Sequence, residues 1–261
     1  MTPTEQAQHR AVQYIAAVDI SYGQEQEDDG HTILAWYSDR AAMAGLEVVD
    51  AEDIRFALNV LDHSLQCWDQ DGHTIGDLGL DGSDHQQVME WMRYHIKSHG
   101  ADPEVLTYDF HYHLDVHEER GAFPSPNEKE LVDLARIRTL ADTALHDALG
   151  EHRHDPIRIW PHHFDTGSQV VVAENDAGER TGTIGVGLAV PDEIMPVHYV
   201  YASPWSKEGD ARMTDLPELT IGEWRSGDFN GAVCAAHHLT ALEMRAHLNE
   251  AITALLPRVR S

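Results

Sequence analysis

Lysine is nearly missing from this chain. Lys97, Lys129 and Lys207 are the only copies, and with arginine they make 18 basic residues against 45 acidic ones. The formal charge of -27 at pH 7 repels phosphate backbones and anionic lipids, so neither nucleic acid nor a membrane surface is an expected partner. Cysteine is scarce as well. Cys67 and Cys234 stand alone without a CxxC spacing, which suits small buried side chains better than a metal knuckle. No stretch approaches the roughly 18 apolar residues of a membrane span, and the first residues lack a basic segment followed by an apolar run. A soluble, cytoplasmic protein is expected. No long Ser/Gly/Pro-rich linker interrupts the sequence, so residues 1–261 read as a single compact domain, large enough to bury roughly three quarters of its unfolded surface.

Acid and histidine are what the chain has in excess. An acidic surface fits a halophilic, high-salt setting, where counterions screen self-repulsion over a few ångströms; a basic partner or a cation-binding surface is the other reading. The 19 histidines make the charge strongly pH-dependent near neutrality.

Periodicity divides the chain into helices and short strands. Thr4–Val18 reads as a helix capped by Thr2 or Thr4, with Ala11, Tyr14, Ile15 and Val18 on one face. The acidic stretch Gln24–Gly30 reads as a loop. Strands are expected over His31–Tyr37, Leu46–Val49, Ile54–Leu61, His63–Trp68 and Thr74–Leu80, with Asp71-Gly72 and Asp81-Gly82 as turns. Ser83 or Asp84 caps a helix to about Ser98, ended by Gly100, and an extended segment covers Val105–Val116. Asn127 caps a helix to about Leu149. Strands then follow at Ile157–Phe164, Gln169–Glu174, Thr183–Val190, His198–Ala202 and Leu219–Trp224, before a last helix over Leu239–Leu256. The class is α+β, with mostly antiparallel sheets and helices packed on one face. The order helix, strands, helix recurs in the halves 1–100 and 127–261, which leaves open either a pseudo-repeat or one continuous sheet.

Two packets carry the densest chemistry. His111, His113, Asp115 and His117 alternate, and on a strand they share one face; neighbours two apart lie roughly 7 Å apart and can hold one ion, whereas His111 and His117 span about 20 Å. Such a row serves either as a metal-binding edge or as a solvated polar face. Extended geometry in Trp160-Pro161-His162-His163-Phe164-Asp165 puts His163 and Asp165 on one side and His162 on the other. That pair suits a His/carboxylate metal site, a general base with its orienting acid, or a buried histidine held by Asp165. Ser168 lies nearby without a GxSxG elbow, so a nucleophilic hydrolase has little support. Gly182, Gly185 and Gly187 are not followed by a helix, so they read as a strand in close backbone contact instead of a dinucleotide loop.

The order of Trp160–Asp165, Ile184–Ala189, Asp192-Glu193, Tyr199-Val200-Tyr201 and Gly231-Ala232-Val233 resembles a bacterial protein family to which no activity is securely attached. Its hallmark is a Trp-Pro-His-His-Phe-Asp segment followed by a glycine-rich strand and a Tyr-x-Tyr strand. Tyr112 to His117 is similar to that family's Tyr-x-x-Pro-x-His segment, with Asp115 in place of proline, and Arg225 stands after Trp224 where the family tends to have histidine. The resemblance points to Tyr112, His117, His162, His163 and Asp165.

Two functions are expected as alternatives. One is a divalent-metal site, zinc by its chemistry, drawn from His113, His117, His162, His163 and Asp165, which if catalytic would activate water for hydrolysis. The other is a non-enzymatic module binding a small molecule in a pocket lined by Tyr112, Trp160, Phe164, Tyr199, Tyr201 and Trp224.

Overall fold

The computed structural model describes residues 1–26, 29–51, 54–150, 152–209 and 211–259. Its chain is α+β and divides into two compact units: residues 1–136 with 159–164, and residues 137–158 with 165–261. Glu27 and Asp28 of the expected acidic loop lie outside the described residues.

Unit 1 opens with α1 (Pro3–Tyr22), whose N-cap Thr2 accepts the Glu5 amide at 3.2 Å. Proline at the first position fits, because that amide would have no helical partner anyway. The expected single apolar face is only part of what α1 buries. Glu5, Gln8, His9, Arg10, Gln13 and Asp19 are buried too, so the helix carries polar groups into the interior that each need a partner.

After α1 comes an antiparallel meander, β1 (Ala35–Tyr37), β2 (Ala42–Ala44), β3 (Arg55–Asn59), β4 (Ser64–Trp68) and β5 (Thr74–Gly79), paired in chain order. Only hairpins join neighbours, as short turns allow. The expected strand at Leu46–Val49 is absent: β2 lies earlier, and the Val48 amide instead donates to Ile54 O at 2.8 Å across a loop. Met43, Phe56, Leu58, Leu65 and Cys67 share one face by register. Against it packs α2 (His85–Ser98), whose Trp91 meets Phe56 edge-on at 5.6 Å. Asp84 caps α2 in a capping box with Gln87, and Gly100 follows its end at φ 96°.

The segment 106–114, expected to be extended, has no strand, and Asp115–His117 closes a single 3-10 turn. Alternation therefore does not place His111, His113, Asp115 and His117 on one face.

The helix α3 (Glu128–Leu149) begins in unit 1, where Asn127 Oδ1 accepts the Lys129 amide at 3.0 Å, and continues into unit 2. Unit 2 holds β7 (Thr166–Glu174), β8 (Arg180–Ala189), β9 (Tyr199–Ser206), β10 (Glu223–Arg225) and β11 (Gly231–Ala235), followed by α4 (Ala241–Val259); the short β6 (Arg158–Ile159) spans the unit boundary, and the sheet order is β10-β11-β9-β8-β7-β6. The strand at 231–235 was not expected. On one sheet face Val170, Ile184, Val186, Val200 and Ala232 pack against Ala141, Leu145 and Leu149 of α3 and Leu248, Ile252 and Leu255 of α4. The opposite face gathers Ala189, Tyr199 and Val233 with Ile194, Tyr201 and Phe229. Period-two alternation thus puts buried apolar side chains on both faces of the sheet. Among the described residues, no helix is long and apolar enough to cross a membrane.

Candidate functional site

In unit 1 the Trp160–Phe164 segment is a turn and not a strand. The amides of His163 and Phe164 both donate to Trp160 O, at 3.2 and 2.6 Å, and Phe164 sits at φ 58°. Proline at 161 pre-sets the first turn position. A left-handed aromatic residue is costly, and burial holds it: Phe164 is 0% exposed and its ring stacks on His9 at 4.9 Å. This overturns the extended geometry that placed His163 and Asp165 on one side. The unit boundary also falls between Phe164 and Asp165.

The turn is tied to α1. Pro161 O accepts both His9 Nε2–H and Gln13 Nε2–H at 2.8 Å. One helical turn separates these two side chains, so they reach a single carbonyl together. On its other side Gln13 Oε1 accepts Tyr112 O–H at 3.0 Å and His117 Nε2–H at 3.2 Å. The amide orientation follows from chemistry, because its nitrogen faces only carbonyl oxygens. His117 Nδ1 in turn accepts the Leu114 amide at 3.4 Å. A second proton on His117 would point at that N–H. The geometry agrees with a pKa pushed down to about 4, chiefly by burial and then by neighbouring His113 and Arg120.

These bonds place most of the expected residues. Tyr112 touches His117 and His162, with ring centres 5.4 Å apart in each case, and His162 lies 4.3 Å from His163. His113 is exposed, its ring 6.5 Å from His117 and its Nε2 4.0 Å from Asp115. Burial, followed by the adjacent His163, lowers the pKa of His162. Among the described residues, no three His, Cys, Asp or Glu side chains are grouped so as to hold a metal ion. What joins Tyr112, His117 and the Pro161 turn is an amide, Gln13, which sequence reasoning missed along with His9. Their i, i+4 spacing on α1 was the available signal.

In unit 2, Tyr199 and Tyr201 sit on the sheet face opposite α3 and α4, whereas Trp224 packs on the same side as those helices. Tyr201 O–H donates to Asp165 Oδ2 at 2.9 Å, and Tyr199 O–H donates to Asp192 Oδ2 at 2.7 Å. Glycine makes room for the first of these rings: a Cβ on Gly187 would lie 2.8 Å from the Tyr201 ring, and one on Gly167 3.0 Å from its hydroxyl. The glycine-rich strand is therefore a cradle for Tyr201, in keeping with the expected close backbone contact. Burial, then the neighbouring carboxylate, drives the Tyr201 pKa well up, so the phenol keeps its proton for Asp165.

No family model, curated protein or solved structure matches this chain.

Beyond Tyr199 the same unit contains a cavity of about 810 Å³, lined by Asp192, Glu193, Ile194, Trp224, Arg225, Ser226, Asp228 and Phe229. Asp192 is fixed as its loop's anchor, with Oδ1 accepting the amides of Ile194 and Met195 at 2.8 and 3.0 Å. Trp224 is held at its edge, where Nε1–H donates to Pro217 O at 2.7 Å. Arg225 reaches Ile194 O and pairs with Glu223 at 2.7 Å. That pairing leaves three lining carboxylates against a guanidinium already matched by a fourth. Of the expected pocket residues, Trp224 lines this cavity and Tyr199 braces it through Asp192. Trp160, Phe164 and Tyr112 belong to unit 1. Asp228 and Phe229 were missed: nothing in their local pattern distinguishes them from an ordinary turn.

Proposed function

We propose that unit 2 binds a small organic cation, an amine or quaternary ammonium compound, in the cavity between residues 192–195 and 224–229. The observation carrying this reading is the lining itself. Asp192, Glu193 and Asp228 surround the space together with the aromatic residues Trp224 and Phe229, while the Arg225 charge is offset by Glu223. Aromatic faces attract a cation through their quadrupole, by about 0.5–2 kcal/mol each, and carboxylates add longer-range attraction. A volume of about 810 Å³ suits a small molecule. The anchoring of Asp192 by two amides and Tyr199 pre-forms one wall, which lowers the ordering cost of binding.

Calorimetric titration with tetramethylammonium, putrescine and spermidine tests the reading, with sodium chloride at matched ionic strength as the control. Saturable binding is expected, weakened about tenfold in Trp224→Leu. No saturable heat from any organic cation, or equal affinity in the variant, sinks it.

A further inference from the structure

Unit 1 contains a second cavity of about 390 Å³, lined by His85, Gln86, Met89, Glu90, Arg93 and Tyr108. In so acidic a protein its surroundings are unusual. The guanidinium of Arg120 lies over the Tyr108 ring at 4.5 Å, and Arg10, only 2% exposed, lies over Phe123 at 3.9 Å. Arg10, Arg93 and Arg120 all act on His85 strongly enough to disfavour its protonation, after burial itself. The nearby carboxylates each have a partner. Glu90 accepts from Gln86 at 2.7 Å, Asp84 caps α2 through the Gln87 amide, and Glu119 stands 3.9 Å from Arg10.

Two donors on the cavity lining lack acceptors. Arg93 Nε–H and Tyr108 O–H are buried with no hydrogen-bond partner among the described residues, although Arg93 Nη2 reaches Leu106 O at 3.1 Å. Buried donors left unmade are costly, and an oxygen acceptor in the cavity is what both lack. His85 adds a third donor. Its Nδ1 faces Tyr14 O–H at 3.0 Å, so when it accepts that proton the ring hydrogen sits on Nε2.

We infer that this cavity is a binding site for a small oxyanion, a carboxylate or phosphate, held by Arg93, Tyr108 and His85 and drawn in by Arg10 and Arg120. Guanidinium donors match either anion with two parallel hydrogen bonds. The site is independent of the organic-cation cavity: each is built from residues of its own unit.

Titration of the full chain with inorganic phosphate and, separately, with acetate at low ionic strength, followed by calorimetry and by amide NMR shifts, tests the inference. Saturable binding of at least one anion is expected, with shifts at His85 and Arg93. Arg93→Gln should weaken it by at least about tenfold, whereas Arg212→Gln in unit 2 leaves it unchanged. Tyr108→Phe removes one oxygen and keeps the ring, so a severalfold loss there stands even if Arg93→Gln folds poorly. Stronger binding of phosphate than of acetate assigns a phosphate ligand, and the reverse a carboxylate. The inference is overturned if neither anion saturates, or if neither Arg93→Gln nor Tyr108→Phe weakens binding.

Discussion

Replacing Gln13 by leucine keeps the volume of the side chain and removes every polar contact it makes. Two of the groups it serves then have no other partner: Tyr112 O–H and His117 Nε2–H both donate to Gln13 Oε1. Pro161 O is less affected because His9 still donates to it. A buried donor stripped of its acceptor costs about 1–3 kcal/mol, so Gln13→Leu should destabilise unit 1 by about 4 kcal/mol. Tyr112→Phe on its own should cost about 1 kcal/mol, since Gln13 keeps His117. Combined with Gln13→Leu, the same change removes an orphan hydroxyl and should cost nothing or restore stability. The expected coupling is therefore about 1–2 kcal/mol. Urea denaturation measures it in a Trp205→Phe, Trp224→Phe background, where the remaining tryptophans, Trp36, Trp68, Trp91 and Trp160, all belong to unit 1. A Gln13→Leu cost below about 1 kcal/mol, or additivity within about 0.5 kcal/mol, would refute the claim that one amide joins α1, the 106–117 segment and the Pro161 turn.

Three further outcomes follow from the same structure. His117, held near pKa 4 in the fold against an ordinary 6.5, favours the folded state above pH 6.5, and that contribution is lost as pH falls toward 4. The stability difference between wild type and His117→Gln should therefore shrink by about 2–3 kcal/mol over that window in pH-resolved urea melts, and a constant difference would count against a neutral His117. Phe164→Gly should be about 1 kcal/mol more stable than Phe164→Ala, the reverse of the usual order, because only glycine enters φ 58° freely; a more stable alanine variant would show that the turn relaxes. With a charge of -27, raising KCl from about 0.1 to 1 M shortens the screening length from about 10 to 3 Å, and the melting temperature should climb. A flat or falling curve would mean that surface repulsion is not limiting.

What the sequence made legible are the elements whose conformation is decided locally. Asp84 with Gln87 announces α2, Thr2 announces α1, and the turn at Asp71-Gly72 separates β4 and β5, which pair with each other, while Asp81-Gly82 marks the passage from β5 to α2. The two packets of histidine failed the same test for one reason. Residues 106–117 and 160–164 take their shape from contacts with α1, and Gln13 lies 99 residues from Tyr112 and 148 from Pro161. No local pattern encodes such a pairing. Period two in His111–His117 gives no shared strand face because residues 106–114 form no strand, and the aromatic at 164 stacks on His9. The glycines at 182, 185 and 187 were interpretable because rejecting a helix at the third one needs only the residues beside it. Their purpose was not: the Tyr201 ring arrives from the next strand, in register with Gly187. The Pro161 turn is thus a structural clasp on α1.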